Sequence, residues 1–372
     1  MKNIAVFFGG KSVEHDISII TGLQAIKAID KDYNIIPIYI KSNGEFITSD
    51  SLKNENVFLD FETLSKKNFI VSFAFGLGKL LLIKKKKIVK MIEIDCALLC
   101  NHGHGGEDGS LQGLLELAEI PYTSCNVLSS SLCMDKALTK IVLEEKKIKT
   151  PKFIYFNKND FSKNKDKILE KINKSINFPC IIKPSSLGSS VGINVSHNDN
   201  ECEKYIGEAF KYDDKVIIEK FLDGSNEFCC AVIKLRNNYF TSNIKIVSKG
   251  EIYSFNEKYI ENKEEEQKGI SKKLENLIKQ KAIDTYKALE CDGVVRVDFL
   301  QDAEGIFVNE VNSIPGSLAF NLFPTSFNDL LHSLIDESIM KYKNKKMICY
   351  KFNSEAIKSY IDTIKNNKKF SK

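Results

Sequence analysis

The sequence predicts an α/β protein of several domains, and three observations lead to this prediction. Over the first 40 residues, a buried strand, a turn, a helix and a second buried strand follow one another, which is the β-α-β unit of a parallel sheet. Beyond residue 150, strands and helices alternate less regularly and indicate α+β segments. A chain of 372 residues is also long enough for two or three domains that each bury a core.

The opening unit begins with a continuous apolar run at residues 4–8, which predicts a buried strand. Gly9-Gly10 predicts a tight turn after it. Apolar residues then recur at helical spacing from residue 19 to residue 26, and a second apolar run at 35–40 predicts the parallel partner strand. Ligands of such sheets bind where the strands end.

Residues 44–92 look like a less regular insertion with one hairpin signal, Gly76-Leu77-Gly78-Lys79, between two apolar runs. A strand at 97–100 then leads into the segment 101–109, which contains four glycines, and a helix follows at 111–118. So many glycines demand unusual backbone angles. We therefore expect this loop to approach a ligand closely.

The rest of the chain predicts one helix at 132–146, capped by a serine run, and a lysine-rich helix between two strands. Two further pairs of strands flank a long helix at 272–289. Loops near residue 125 and a strand near residue 216 are the candidate boundaries. We predict an N-terminal domain at 1–125, a central segment at 126–215, a C-terminal segment at 216–343 and an extension at 344–372.

Composition excludes several classes of protein. The net charge of +5 is too small to favour a nucleic-acid partner. No apolar run of about 18 residues predicts a membrane span. The ten cysteines form no Cys-x-x-Cys pair and the five histidines show no zinc-site spacing, so we expect reduced, buried thiols in a cytoplasmic protein.

Two predicted strands carry the strongest signal for chemistry. Because side chains alternate along a strand, Arg296 shares a face with Asp298, and Glu310 shares a face with Asn312. Paired strands would gather oxygen ligands suited to Mg²⁺ beside a permanently charged guanidinium, in a chain with only two arginines. The alternative is a pair of half-exposed strands with polar outer faces.

A glycine- and serine-rich loop at 185–192 follows the strand that ends at Lys183. Small residues let backbone amides approach phosphate oxygens, and Lys136 adds a second cation. The chain has no Gly-x-x-x-x-Gly-Lys motif, so this is not the common P-loop. Taken alone, the loop is equally well explained as a plain turn.

Three acidic residues are further candidates. Glu219 and Glu227 lie at and beyond a strand end, where a carboxylate can hold a ribose, although surface charge is the alternative. Glu14 follows the first strand and can bind a substrate ammonium, or it can cap the helix that begins there.

Together these residues resemble the ATP-grasp superfamily and, within it, the D-alanine–D-alanine ligase family. The resemblance covers about residues 1–341, and its specific motifs occur in the family's order. They are Gly9 to Ser18, His102 to Gly113, Met134-Asp135-Lys136, Lys183 to Gly192, Arg296-Val297-Asp298 and Asn309 to Gly316. The resemblance implies an ATP-grasp fold, with a Rossmann-like N-terminal domain followed by central and C-terminal α+β domains.

The resemblance also implies a reaction. ATP phosphorylates the carboxylate of a first D-alanine, the amine of a second attacks the acyl-phosphate, and a tetrahedral intermediate collapses to the dipeptide used in peptidoglycan synthesis. It assigns catalysis to Glu14, Ser189, Tyr259, Arg296 and Gly316. It assigns ATP binding to Lys136, Lys183, Glu219, Lys220, Leu222, Glu227 and Lys258. It assigns two Mg²⁺ ions, which Mn²⁺ can replace, to Asp298, Glu310 and Asn312. It places near the second substrate His102, Asn321 and Leu322.

The mobile loop of the family corresponds to residues 255–262, where Tyr259 would link to Ser189 and Glu14. Closing such a loop keeps water away from a hydrolysable intermediate. Family members are commonly dimers through the N-terminal domain, so a homodimer is the implied assembly.

Departures from the family pattern concern the second substrate. Asn321 stands where the family has a serine that grips the second carboxylate, Leu187 replaces an acidic residue, and the mobile loop lacks the usual Pro-Ala. A product ending in another residue, such as D-serine, is therefore one alternative. A nucleotide-binding protein without catalysis is another, but it predicts a missing metal ligand or phosphate lysine, and both sets are present.

Overall fold

A computed structural model of the protein describes residues 1–59, 68–247, 270–348 and 354–370. It divides into two units, Met1–Ile339 and Met340–Lys372. The first unit contains three β-sheets, and all the described candidate site residues lie in it.

The first sheet has eight strands in the order β6-β5-β4-β3-β2-β1-β7-β8, and its neighbours β2, β1, β7 and β8 are parallel. Its strands are β1 (Asn3–Gly9), β2 (Asn34–Ile40), β3 (Phe46–Thr48), β4 (Phe69–Ala74), β5 (Lys79–Lys84), β6 (Lys87–Glu93), β7 (Cys96–Leu99) and β8 (Tyr122–Thr123). The parallel N-terminal sheet is thus confirmed.

The less regular insertion predicted at 44–92 is wrong. Strands β3 to β6 continue the first sheet as an antiparallel meander, and the predicted hairpin joins β4 to β5. Alternation explains the result, because Val71 and Phe73 on β4 and Leu80 and Leu82 on β5 all point into the core. Single-turn 3₁₀ helices at Asp50–Lys53 and Glu55–Phe58 interrupt the meander.

Helices α1 (His15–Ile29) and α2 (Ser110–Ala118) follow β1 and β7. Gly22 on α1 lies so close to β1 that a Cβ there would be 2.5 Å from Phe8 Cβ. The helix can therefore pack on the strand only with glycine at this position.

The single helix predicted at 132–146 is wrong, because two helices meet there: α3 (Val127–Met134) and α4 (Lys136–Glu145). Asn126 caps α3 by accepting the Ser129 N–H. Asp135 separates the helices and caps α4 by accepting the N–H groups of Ala137 and Leu138. Its carboxylate also accepts Ser185 Oγ–H at 2.8 Å and pairs with Lys215.

The second sheet is antiparallel, in the order β11-β10-β12-β9. Its strands are β9 (Phe153–Asn157), β10 (Cys180–Pro184), β11 (Asn194–Ser196) and β12 (Lys215–Lys220), and its helices are α5 (Lys158–Ser175) and α6 (Asp199–Ala209). Strand β12 belongs wholly to this sheet, although the predicted boundary at residue 216 falls inside it. The division into three domains stays a prediction.

The third sheet runs β14-β13-β16-β17, with β15 also paired to β13. Its strands are β13 (Asn226–Leu235), β14 (Asn238–Thr241), β15 (Lys245–Val247), β16 (Val294–Asp302) and β17 (Gly305–Asn312). Helix α7 (Lys272–Ala288) packs on it through Ile278, Ala282 and Tyr286, against Val295 and Phe299. The predicted long helix and the predicted β16–β17 hairpin are confirmed.

A 3₁₀ turn at Gly316–Leu322 follows β17 and precedes α8 (Phe327–Lys345), which buries Leu330, Leu331, Leu334 and Ile335. In the second unit, α9 covers Ala356–Phe370. None of the helices in the described ranges is long and apolar enough to span a membrane. The nine cysteines in those ranges are free and buried, as expected.

Candidate active site

Four predicted residues meet on β16 and β17, and we call them the strand cluster: Arg296, Asp298, Glu310 and Asn312. The antiparallel register places Arg296 opposite Asn312 and Asp298 opposite Glu310. The alternation predicted from the sequence therefore gathers the four side chains on one face of the hairpin. All four are partly buried, so the alternative of a merely polar outer face does not describe them.

Within the strand cluster, Arg296 grips Asp298 with two hydrogen bonds, from Nε at 2.7 Å and from Nη2 at 2.8 Å. Burial alone would lower the pKa of Arg296, but the charge of Asp298 outweighs it and raises that pKa well above its usual value. Asn312 Nδ2 donates to Asp298 Oδ2 at 3.1 Å. The guanidinium is thus fixed and permanently charged.

The donor set of the strand cluster fits a magnesium ion bound together with phosphate. Asp298, Glu310 and Asn312 offer hard oxygens, and magnesium completes its shell with phosphate oxygens and water. In the described part of the chain, no three His, Cys, Asp or Glu side chains converge as a complete protein-only metal site. Two carboxylates and an amide are enough protein ligands for magnesium when the phosphates of a nucleotide supply the other oxygens.

Three lysines and a glutamate form the lysine cluster: Lys136, Lys140, Lys183 and Glu219. Lys136 Nζ donates to the Leu187 carbonyl at 2.6 Å, in the predicted glycine-serine loop, and lies 3.9 Å from Glu310 Oε2. Lys183 Nζ donates to Glu219 Oε2 at 3.0 Å and to Asn309 Oδ1 at 3.1 Å. Lys136 therefore holds the loop itself, and Lys183 holds the strand that leads into it to β12 and β17, unlike a plain turn.

Sequence reasoning missed Lys140. Its side chain and that of Glu219 are each 1% exposed, and Nζ lies 3.4 Å from Glu219 Oε1 while donating to the Asn309 carbonyl at 3.1 Å. Burial lowers the pKa of Lys140 to about 8. A lysine on the buried face of an amphipathic helix, four residues after Lys136, was the available signal.

Glu219 is not a surface charge. Burial would raise its pKa, but the neighbouring charges of Lys140 and Lys183 outweigh that effect and hold the pKa below its ordinary value. The carboxylate is therefore ionised inside the protein. Oε1 is fully buried and is paired with Lys140 at 3.4 Å, although no described residue donates a well-aligned hydrogen bond to it.

The loops after β1 and β7 supply the loop cluster: Glu14, His102 and Glu107. Glu14 is 8% exposed and accepts Ser189 Oγ–H at 2.5 Å, which brings together the two residues to which Tyr259 is predicted to link. It makes no capping hydrogen bond to α1, although it stands at the N-cap position. A Cβ at Gly188 would come within 2.9 Å of Glu14 Oε2, so the glycine-serine loop closes directly on this carboxylate.

Glu107 was also missed by sequence reasoning, although an acid inside a glycine-rich loop was a signal. Its carboxylate accepts the Gly103 N–H at 2.9 Å and the Ile314 N–H at 2.8 Å. Burial and the nearby Glu14 raise the pKa of Glu107 to about 8. His102, next to the same loop, is buried and its burial lowers its pKa.

One cavity brings the three clusters together. Its wall includes Glu14 and Glu107 from the loop cluster, Lys136 from the lysine cluster, and Glu310 and Asn312 from the strand cluster. Acids, a cation and metal-type oxygens that face one space suit a reaction between a phosphate, a carboxylate and an amine.

Comparison with known proteins gives the family. The family model described as D-ala D-ala ligase N-terminus matches residues 3–125, and that described as D-ala D-ala ligase C-terminus matches residues 142–336. The D-alanine–D-alanine ligase of Thermosipho africanus is 40% identical over 371 residues, 95% of this chain and 98% of the relative. The chain belongs to the D-alanine–D-alanine ligase family.

Solved structures of the family agree. The D-alanine–D-alanine ligase from Coxiella burnetii superposes with a TM-score of 0.78 at 28% identity, covering 98% of this chain and 99% of that one. The D-Ala:D-Ser ligase VanG from Enterococcus faecalis gives 0.75 at 30% identity, covering 92% and 99%. The predicted ATP-grasp fold and the enzyme class, an ATP-dependent ligase, are confirmed.

Some predicted site residues of the ligase lie apart from the cavity. Lys220 pairs with Glu304 at 3.3 Å on the surface, Leu222 is half-buried and Glu227 is exposed. Lys258 and Tyr259, with the expected mobile loop, lie outside the described residues. Their roles in the ligase stay predictions.

The turn after β17 carries the remaining candidates of the ligase site. After Gly316, the φ angles of Ser317, Leu318 and Ala319 are all near +50°, a left-handed conformation that is costly for residues with a Cβ. Asn321 is exposed, whereas the Leu322 side chain is buried and its carbonyl accepts the Asn243 N–H at 3.0 Å.

Proposed function

We propose that this protein joins two D-alanines to form D-alanyl-D-alanine. The first D-alanine carboxylate takes the γ-phosphoryl group of ATP, and the amine of the second displaces phosphate from the acyl-phosphate. The observation that carries the proposal is the single cavity lined by Glu14, Lys136 and Glu310, one residue from each cluster.

ATP would lie against the lysine cluster. Lys136 and Lys183 would contact its phosphates, and the buried, ionised Glu219 would accept a hydrogen bond from the nucleotide. Lys220, Leu222 and Glu227, together with Lys258, would complete the nucleotide site. Asp298, Glu310 and Asn312 would hold two Mg²⁺ ions, or Mn²⁺ in their place, which neutralise phosphate charge when bound.

Substrate groups would be held by the other two clusters. Glu14, fixed by Ser189, would bind the ammonium of the first D-alanine, with Tyr259 joining the pair. Arg296 and the Gly316 amide would stabilise negative charge on the oxygen of the tetrahedral intermediate. His102, Asn321 and Leu322 would lie near the second amino acid.

The identity of the second amino acid depends on Asn321. This amide replaces a hydroxyl of the family pattern, and a relative with 30% identity is a D-Ala:D-Ser ligase. D-serine is therefore the alternative second substrate. Incubation with ATP, Mg²⁺ and an equimolar mixture of D-alanine and D-serine, followed by mass spectrometry of the dipeptides, measures the preference. Failure to form either dipeptide would refute the proposed ligation.

Arg296→Ala separates a ligase from a nucleotide-binding protein without catalysis. We expect dipeptide formation to fall about 10²- to 10³-fold, which is typical when one donor of an oxyanion site is removed. ATP affinity, measured by calorimetry, should change little. A variant that behaves like the parent in both assays would favour the non-catalytic alternative.

A cytoplasmic location and a homodimer through the N-terminal domain remain predictions. Support comes from the free, buried cysteines of the described residues, which suit a reducing compartment. Light scattering of the purified protein measures the oligomeric state.

A further inference from the structure

A chain of hydrogen bonds joins α1 to the turn that carries Gly316. Ser317 N–H donates to Thr21 Oγ1 at 3.1 Å, and Thr21 Oγ1 lies 2.8 Å from His102 Nε2. The other ring nitrogen, His102 Nδ1, lies 2.7 Å from the Ile314 carbonyl. Thr21, His102 and Ile314 are all at most 3% exposed.

The chemistry of the partners fixes every proton in this chain. A carbonyl oxygen only accepts, so His102 Nδ1 must carry the hydrogen. His102 Nε2 is then the acceptor, and Thr21 donates its hydroxyl hydrogen to it while accepting the Ser317 N–H. Burial lowers the pKa of His102, which favours this neutral ring.

The two ends of the chain bracket Gly316. One end holds the peptide group that follows Ile314, and the other holds the peptide group that precedes Ser317. Glu107 adds a second anchor by accepting the Ile314 N–H at 2.8 Å. The Gly316 amide lies between two peptide groups that cannot rotate without breaking buried hydrogen bonds.

The neighbouring backbone needs such restraint. Ser317, Leu318 and Ala319 are left-handed in succession, a conformation that is unfavourable for residues with a Cβ. A conformation of this kind persists only where the surroundings impose it. Thr21 holds Ser317, the first left-handed residue, and His102 holds Ile314 just before the turn.

We propose that Thr21 and His102 are positioning residues that orient the Gly316 amide towards the reacting oxygen. His102 lies near the second amino acid but acts through the backbone rather than through a hydrogen bond to substrate, since both its ring nitrogens bind protein groups. This inference rests on the proposed ligation, because it assigns a task to the Gly316 amide in that reaction.

Thr21→Val tests the proposal, because valine has nearly the same shape as threonine but lacks the hydroxyl that binds the Ser317 N–H. We expect the kcat for dipeptide formation to fall about 10- to 100-fold, in line with small misplacements of catalytic groups. The KM values for ATP and for both D-alanines should stay within about twofold. Thr21→Ser, which keeps the hydroxyl, is the matched control and should retain most of the parent kcat.

His102→Asn and His102→Ala complete the design. Asparagine can still donate to the Ile314 carbonyl, so His102→Asn should retain a higher kcat than His102→Ala. The double variant Thr21→Val, His102→Asn should lose less kcat than the product of the two single losses, because both residues act in one chain. A normal kcat for Thr21→Val, with a raised KM for the second D-alanine in His102→Ala, would overturn the proposal in favour of direct substrate contact.

Nitrogen-15 NMR of the five histidines supplies a readout that is independent of activity. His102 should show a protonated Nδ1 and an unprotonated Nε2 at neutral pH, and the Nε2 signal should move in Thr21→Val. A protonated Nε2 in the parent would contradict the hydrogen-bond chain. If the parent forms no dipeptide, the proposed function fails, while the NMR experiment still tests the chain itself.

Discussion

The strand cluster is positioned by backbone register, whereas the loop cluster is positioned by side chains and by glycines. Arg296 and Asp298 face their partners because β16 and β17 are paired in register from Arg296 to Asp298, and the register shifts only beyond Asp298. Glu14 and Glu107 depend instead on a few side-chain contacts, such as those of Glu14 to Ser189 and of Glu107 to Gly103 and Ile314. We therefore expect the positions of the strand-cluster side chains to tolerate neighbouring substitutions, and those of the loop-cluster side chains to be sensitive to them.

The largest expected effect comes from the buried charges of the lysine cluster, which join α4, β10 and β12 to β17. Lys140→Met removes one of the two buried cations that pair with Glu219 and should lower the free energy of unfolding by about 3 kcal/mol, the low end of the range for breaking a buried ion pair, because Lys183 still compensates part of the charge. Urea denaturation measures the loss. The double variant Lys140→Met, Glu219→Gln should recover part of it, and no recovery would show that packing rather than charge is responsible.

Glycine substitutions probe the loop cluster. Gly103 and Gly105 have φ values of +69° and +77°, so alanine is strained at both. Only at Gly103 would the new Cβ overlap Ser12 Oγ and approach Glu14 Oε2 to 2.9 Å. We expect Gly105→Ala to cost about 1 kcal/mol and Gly103→Ala about 2–3 kcal/mol. Equal costs in urea denaturation would mean that the loop moves freely away from Glu14.

The pH dependence of stability tests the loop cluster separately, because Glu107 is a buried loop carboxylate that lies near a second acid, Glu14. The pKa of Glu107 is raised to about 8, so the folded state binds its proton more tightly than the unfolded state does. The resulting stability is complete below the usual pKa near 4.5 and is lost as the pH rises to about 8.

Glu107→Gln should therefore become more stable relative to the parent as the pH rises from about 5 to about 8. Each unit of pKa shift corresponds to about 1.4 kcal/mol, so a divergence of at least that size is expected. Thermal unfolding of both proteins across this range measures it. Parallel curves would show that the carboxyl titrates normally.

The smallest effect on stability should come from a solvent-exposed ion pair at the end of β12. Lys220 and Glu304 are 3.3 Å apart with side chains 44% and 67% exposed, so screening removes most of their attraction. Lys220→Ala should change the free energy of unfolding by less than about 1 kcal/mol. A larger loss would indicate that this end of β12 is more constrained than its exposure suggests. If Lys220 binds ATP, the KM for ATP will rise while stability holds.

The residues that strand register positions could be predicted from the sequence, whereas those that long-range side-chain contacts position could not. Period-two alternation was enough to place Asp298 and Glu310 together, because the pleat of a strand is independent of the rest of the fold. The meander at 44–92 was predicted only in its β4–β5 hairpin, because β3 has three residues and β6 is exposed along almost its whole length, so neither shows a clear alternation. The buried pair Lys140–Glu219 and the bonds of Glu107 were missed because they join residues 79 and 207 positions apart, and no local pattern records such contacts.

The break between α3 and α4 has a consequence for recombining ligases of this family. Asp135 caps α4, accepts Ser185 Oγ–H and pairs with Lys215, so one carboxylate connects three distant points of the chain. A chimera that exchanges residues 126–215 as a block carries all three partners with it. A chimera cut at residue 150 separates them, and it keeps a matched set only if the incoming parent has the same trio.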